Sequence, residues 1–127
     1  MLILFGDGRR RTRELFVPCL ADQEPGHLVF PRGDGPGLLD CLSCFNRGHF
    51  GVAIINNNVA HPNGVELLNL IRASDEFSSL PVVIYGDDCI RDTVAILKGE
   101  FISTRHRATV LDQILESLAR LQSGCLS

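Results

Sequence analysis

The chain has 127 residues, of which 45% are hydrophobic and 21% are charged, and this is enough apolar material for one domain with its own core. Its net charge of −3 disfavours a direct nucleic-acid binder or an anionic-membrane binder, because such proteins are normally basic. No apolar stretch approaches the roughly 20 residues of a membrane span, and no signal peptide is predicted. The five cysteines lack the spacing of a disulfide framework, which favours a cytoplasmic location.

Short apolar runs alternate with longer helical patterns along the chain. The predicted strands are Leu2–Phe5, Leu28–Phe30, Val52–Ile55, Val82–Tyr85 and Phe101–Ser103. Several of them are nearly continuous runs of Val, Ile and Leu, which are typical of strands that are covered on both faces.

The first two predicted helices carry proline and glycine signals. The first, Arg9 to Leu20, contains Pro18, so it should kink or end early. The second lies around Leu38 and Phe45 and begins in a loop that is rich in Gly and Pro.

The other three predicted helices have clearer ends or faces. Asn63 can cap the third helix, with Glu66 three residues later. The fourth, Ile90 to Lys98, is short and should stop at Gly99. The fifth has an apolar stripe with helical spacing from Leu111 to Leu121.

Five strands alternating with five helices predict an α/β domain over residues 1–122, with residues 123–127 as a tail or the start of a linker. The expected fold is flavodoxin-like, (βα)5, with a five-stranded parallel sheet in the order 2-1-3-4-5. Functional groups in such folds lie at the carboxyl ends of the strands. The residues expected there are Gly6, Asp7, Asn56, Gly86 and Thr104.

A family resemblance is carried by segment 52–68, VAIINNNVAHPNGVELL. It resembles the third strand, loop and third helix of response-regulator receiver domains, the phosphorylated partners of two-component systems. In that family the strand ends in the phospho-accepting Asp, and an Asp-Gly pair opens the helix eight residues on. Counting back from Gly64 places the acceptor position at Asn56. Segments 80–85, LPVVIY, and 101–104, FIST, resemble the family's fourth and fifth strands.

The resemblance also implies a five-group phosphorylation site, most of which is changed in this chain. Receivers hold magnesium with two acidic residues and the acceptor Asp, and they bind the phosphoryl oxygens with a Ser or Thr and a Lys. Here the acidic pair reads Gly6-Asp7, and only Asp7 is retained. The hydroxyl position is Gly86, and the lysine position is Thr104.

These changes predict a degenerate receiver, or pseudo-receiver, without aspartyl chemistry. Asn56 is close in shape to an Asp, but its amide cannot act as the nucleophile. Asp7 alone should bind magnesium weakly, because that ion usually needs at least one or two carboxylates together with other oxygen ligands. The expectation is therefore no enzymatic activity, no metal and no cofactor.

A narrower resemblance concerns the second half of the chain. The short segment 95–102, AILKGEFI, replaces the longer fourth helix that is usual in receivers. The region from Leu97 to Leu121 is similar to degenerate receivers that precede the ATPase domain of enhancer-binding transcription activators, including flagellar regulators.

Two further features of the sequence suggest interactions. The cluster Arg9, Arg10, Arg11 and Arg13 follows the first strand, and it is either a solvated helical turn or a site for an anion or an acidic partner. Phe101 occupies the switch-aromatic position of receivers, and its coupling to the site should be broken without the Thr and Lys partners. Phe101 could equally be a residue that only lines the core.

Three other motifs are interpreted as structural or accidental. Cys41 and Cys44 form a CxxC inside a helical pattern, which favours two buried apolar positions over a redox site. The four histidines show no metal spacing. The Arg-Gly-Asp tripeptide at 32–34 resembles a cell-adhesion motif, but without a predicted secretion signal it is interpreted as a chance match.

The sequence therefore supports three functions. The first is a phosphorylation-independent regulatory module that binds a protein partner or its own output domain, with a homodimer expected. The second is a sensor that binds an anionic small molecule near Arg9–Arg13. The third is an unrelated flavodoxin-like enzyme, which is disfavoured because no nucleophile and base are paired at the strand ends.

Overall fold

The computed structural model describes residues 1–24, 26–44 and 49–126. The strands are β1 (Leu2–Gly6), β2 (Leu28–Arg32), β3 (Phe50–Asn56), β4 (Val82–Gly86) and β5 (Glu100–Ser103). The helices are α1 (Arg10–Ala21), α2 (Gly35–Ser43), α3 (Gly64–Ala73), α4 (Arg91–Ile96) and α5 (Arg107–Leu126), with a 3₁₀ turn at Asp88–Ile90. The strands form one parallel sheet in the order β2-β1-β3-β4-β5, which confirms the predicted topology.

Each face of the sheet carries its own apolar layer. Ile3 and Phe5 of β1 pack in the cluster that also holds side chains of α1 and α5. Leu4, between them in the chain, packs in the opposite cluster with side chains of α2, α3 and α4. This alternation explains the continuous apolar runs of the strands, because both faces of the sheet are covered.

The first helix was expected to kink or end early at Pro18, and it does not end early. Helix α1 runs past Pro18 to Ala21. The proline removes one backbone donor, but its carbonyl oxygen still accepts a bond of 3.1 Å from the Asp22 nitrogen. Leu20 is fully buried in the core and holds the last turn in place. Tertiary packing thus outweighs the local cost of the proline.

The ends of α4 and α5 also differ from the prediction. Helix α4 stops at Ile96, and Lys98 rather than Gly99 adopts the left-handed conformation, with a φ of 60°. Helix α5 extends to Leu126, so the predicted tail is helical over residues 123–126. None of the described helices is long and apolar enough to cross a membrane.

The start of α3 matches the prediction in detail. The Asn63 side chain accepts from the Glu66 nitrogen at 2.9 Å, and the Glu66 side chain accepts from the Asn63 nitrogen at 3.0 Å. This reciprocal pair is a capping box that satisfies two free donors of the first turn. Helix α2 is also present, although Phe45, which was expected on it, lies outside the described residues.

Candidate functional site

The carboxyl edge of the sheet gathers the five predicted site positions. Gly6, Asn56 and Gly86 are the last residues of β1, β3 and β4. Asp7 follows β1 directly, and Thr104 follows β5, where its nitrogen donates to the Gly86 carbonyl at 2.9 Å. Parallel pairing sets the strand ends side by side, so residues far apart in the chain meet at this edge.

The carboxylate of Asp7 is fully buried and accepts four hydrogen bonds. Its Oδ2 accepts from the Tyr85 hydroxyl at 2.6 Å and from the Asn56 amide nitrogen at 3.0 Å. Its Oδ1 accepts from the Arg9 backbone nitrogen at 2.8 Å and from the Asn58 amide nitrogen at 3.2 Å. A carboxylate offers about four lone-pair positions, so all the acceptor capacity of Asp7 is used by protein donors.

The surroundings of Asp7 keep these donors in place. Burial raises the pKa of Tyr85 far above its usual range, and the neighbouring Asp7 charge raises it further, so the phenol stays protonated and donates. The Arg9 Nε lies 3.6 Å from Asp7 Oδ1. Arg13 donates to the main-chain oxygen of Asp7 at 2.7 Å. The buried charge is therefore offset by hydrogen bonds and a nearby guanidinium.

Magnesium, which the receiver resemblance implies for this edge, does not fit the groups that are present. The ion needs oxygen ligands with free lone pairs. Asp7 has none to spare, and Asn56 turns its amide nitrogen toward Asp7 while its Oδ1 accepts from the Asn58 nitrogen at 2.9 Å. Among the described residues, no group of three or more His, Cys, Asp or Glu could hold a metal ion.

Gly6 leaves little room for a side chain. A Cβ at this position would lie 2.7 Å from Leu38 Cδ1 and 3.4 Å from Ile55 Cγ2. Leu38 is fully buried in the core, so its side chain has little freedom to move away. Apolar side chains thus pack against the space where a side chain at position 6 would begin.

Comparison with known proteins shows the fold. No protein-family model matches the chain, and a search of curated proteins gives no significant match. The structure is similar to the chemotaxis response regulator CheY4 of Vibrio cholerae, with a TM-score of 0.77 and 17% identity over 94% of this chain and 97% of that chain. The chain has the receiver fold. It is also similar to the Thermotoga maritima response regulator TrrA in complex with Mg²⁺-BeF (TM-score 0.74, 18% identity, 94% and 97% covered). A Pseudomonas putida receiver protein gives a TM-score of 0.74 and 21% identity, with 94% and 95% covered.

Two groups around Asp7 were missed in the sequence. Tyr85 is the only tyrosine of the chain and lies one residue before the end of the fully buried strand β4. Such a hydroxyl must find a buried partner, and this was the available signal. Nothing in the sequence distinguishes Asn58 from Asn57. In the structure the Asn58 amide donates to Asp7, whereas the Asn57 side chain accepts from the Val65 nitrogen at 3.0 Å.

The predicted arginine cluster divides between different contacts. Arg9 and Arg13 turn toward Asp7, as described above. Arg10 pairs with Glu14 at 2.9 Å on the exposed side of α1, and Arg11 is also exposed. The four guanidinium groups therefore do not form one anion site.

Phe101 lies half-buried on β5, against the core of the α2–α4 face. The Arg91 guanidinium carbon lies 4.8 Å from the centre of its ring, within the range of a cation–π contact. Arg91 also pairs with Asp88 at 3.0 Å, and Asp88 lies 3.7 Å from Arg105. The Phe101 ring thus contacts a surface cluster of ion-paired side chains through Arg91.

The CxxC prediction is only half right. Cys41 is buried, and this burial raises the pKa of its thiol. Cys44 is exposed at the end of α2, so it does not share the buried face.

His27 is buried beside the Met1 ammonium, with its Nδ1 3.0 Å from that nitrogen.

Proposed function

We propose that this chain is a phosphorylation-independent receiver domain that acts as a regulatory protein-interaction module in cytoplasmic signal transduction, and that it is not an enzyme. One observation carries the proposal. The carboxylate of Asp7 serves as a hydrogen-bond acceptor that joins the ends of β1, β3 and β4, through Asn56 and Tyr85. In an active receiver the carboxylate at this position helps to hold magnesium, whereas in this proposal the Asp7 carboxylate holds strand ends together.

The chemistry of the remaining positions agrees with this proposal. Phosphoryl transfer in receivers requires a nucleophilic carboxylate and a metal ion that offsets negative charge. Asn56 supplies an amide, and that amide is itself 4% exposed and engaged on both ends. Gly86 has no hydroxyl group at the Ser/Thr position, and Thr104 has no ammonium group at the Lys position, to bind the phosphoryl oxygens.

The surface formed by α4, β5 and the start of α5 is the proposed interaction surface. Phe101 is fixed there by Arg91, which is itself paired with Asp88. Ile96 on α4 is 79% exposed, the highest value among the exposed large hydrophobic side chains that the structure describes. We propose a homodimer or a contact with the chain's own output domain through this surface, which phosphorylation does not alter.

A matched pair of variants tests the interaction. Sedimentation velocity on the wild type should show self-association, and Ile96→Glu should weaken it because a charge enters the apolar contact. Leu70→Glu, at an exposed leucine on α3, should leave it unchanged. Acetyl phosphate with magnesium should change neither result. A wild type that remains monomeric at every concentration contradicts the homodimer, and association that rises with acetyl phosphate contradicts phosphorylation independence.

The narrower proposal is a place in transcription control, as the receiver of an enhancer-binding activator. It is supported by the short α4, which spans only Arg91–Ile96. The complete gene tests it: an ATPase domain encoded directly after this chain is expected, and a gene that encodes none contradicts the proposal.

A further inference from the structure

A cavity of about 550 Å³ opens at the carboxyl edge of the sheet, in front of Asn56. It lies between the first turns of α1 and α5 and within the size range of small-molecule sites. Besides the edge residues, its walls include Arg9, Thr12, Phe16, Arg107 and Val110. Most of these belong to neither the five phosphorylation positions nor the interaction surface.

Small residues keep this space open. Gly86 has no side chain, and Thr104 is short; both line the cavity. A Cβ at position 86 would already lie 3.1 Å from Asn57 Cβ and 3.3 Å from Ile90 Cδ1. A larger residue at either position would reduce the volume in front of Asn56.

The charges at the mouth favour a single anionic group. Arg9 is half exposed, and Arg107 is exposed and forms no ion pair with any residue that the structure describes. Asp87, also on the rim, is exposed and accepts from the Cys89 nitrogen at 2.9 Å. Asp7 is buried below and saturated with donors. Two guanidinium groups thus line the mouth, Arg9 beside the buried Asp7 and Arg107 without an ion pair to a described residue, and guanidinium groups suit a carboxylate or a sulfonate.

The walls favour an organic body on that anion. Phe16 and Val110 are apolar residues of the lining, and Thr12 and Thr104 are lining residues that carry hydroxyl groups. A bare inorganic anion would leave the apolar part of the cavity unfilled. An aromatic or aliphatic body would bury that surface and gain free energy from doing so.

We propose that this cavity reversibly binds a small organic monoanion, with the anionic group between Arg9 and Arg107 and the apolar body against Phe16 and Val110. The binding is non-covalent and needs no metal ion. The site differs from the predicted one near Arg9–Arg13, because Arg10 and Arg13 line a different groove, beside β2.

Nuclear magnetic resonance of the ¹⁵N-labelled chain tests this proposal with a fixed panel. The anions are benzoate and benzenesulfonate; the neutral counterparts are benzamide and benzenesulfonamide; inorganic phosphate is the bare anion. The anions should cause saturable shifts at the amides of Gly86, Thr104 and Thr12. The neutral compounds and inorganic phosphate should bind about tenfold more weakly, as expected from the loss of a charge-assisted bond or of the apolar contact.

Variants separate the cavity from general charge effects. Arg107→Ala should weaken benzoate binding about tenfold. Arg105→Ala is the matched control, because Arg105 is a nearby exposed arginine that does not line the cavity. Thr104→Leu should block binding by filling the space, and its spectrum shows whether the fold is kept. The proposal is overturned if no anion of the panel shifts these amides saturably, if inorganic phosphate binds as tightly as benzoate, or if Arg107→Ala and Arg105→Ala behave alike.

Discussion

Removing the hydroxyl of Tyr85 tests the hydrogen-bond network around Asp7. Tyr85→Phe keeps the ring, which stacks near Phe5 with centroids 6.3 Å apart, and deletes only the donor that lies 2.6 Å from Asp7 Oδ2. Tyr85 is 1% exposed, so water cannot easily replace the lost donor. A buried hydrogen bond to a charged group contributes about 1.5–3 kcal/mol.

The expected result is a loss of about 1.5–3 kcal/mol in the free energy of unfolding at pH 7. With a urea m-value of about 1.5 kcal/mol/M, the unfolding midpoint should fall by about 1–2 M. Circular dichroism during urea titration measures this shift. The m-value should stay the same, because the fold and the buried surface are kept.

A double-mutant cycle with Asp7→Asn identifies the cause. Without the charge, the same Tyr85→Phe change should cost only about 1 kcal/mol, the usual value of a neutral hydrogen bond. A cost below about 0.5 kcal/mol in the wild-type background, or an equal cost in both backgrounds, would refute the assigned role of Tyr85 as a donor to a buried carboxylate.

Three further predictions follow from buried polar groups. Asn56→Asp should lower the free energy of unfolding by at least about 2 kcal/mol at pH 7, since it replaces a donor to Asp7 with a second carboxylate, and mass spectrometry should find no acetyl-phosphate adduct. Arg72→Lys should cost about 2–3 kcal/mol in urea unfolding, because the guanidinium donates to four main-chain carbonyls in segments 78–80 and 97–98. Burial, together with the Met1 ammonium, lowers the pKa of His27, so the unfolded chain binds a proton first as the pH falls. Thermal melts should therefore show stability falling below about pH 6.5, and His27→Gln should flatten this dependence; an unchanged slope would contradict it.

The strands could be predicted because they rest on local patterns, and their order because alternating strands and helices favour the flavodoxin-like arrangement. A run such as Val52–Ile55 is apolar at every position, which is typical of a strand with both faces covered. The cap of α3 is equally local, since Asn63 and Glu66 are three residues apart. The ends of α1 and α4 could not be placed in this way. Pro18 is retained in its helix by distant packing, and Lys98 takes a conformation usually left to glycine.

The positions of the site were predictable, but their bonding was not. The register of parallel strands brings the strand ends together, so the five edge residues could be named from the sequence. Asp7 bonds partners that lie 49 and 78 residues away in the chain, Asn56 and Tyr85. Which of several polar groups turns toward Asp7 depends on side-chain packing at the edge, and no short-range pattern encodes it. The cavity beside Arg107 also depends on side-chain packing at this edge, so no short-range pattern predicts it.

Metal binding at Asp7 gives the most direct test of the central claim. Paramagnetic Mn²⁺ can be titrated into the ¹⁵N-labelled wild-type chain, and the amide signals near Asp7, such as those of Gly8 and Asn58, can be followed for broadening. Because every lone pair of the Asp7 carboxylate already accepts a protein donor, no selective and saturable broadening is expected there at millimolar Mn²⁺, with or without acetyl phosphate. Saturable broadening centred on Asp7, reversed by Mg²⁺, would show that the carboxylate is free to hold a metal ion and would contradict the proposed phosphorylation-independent role.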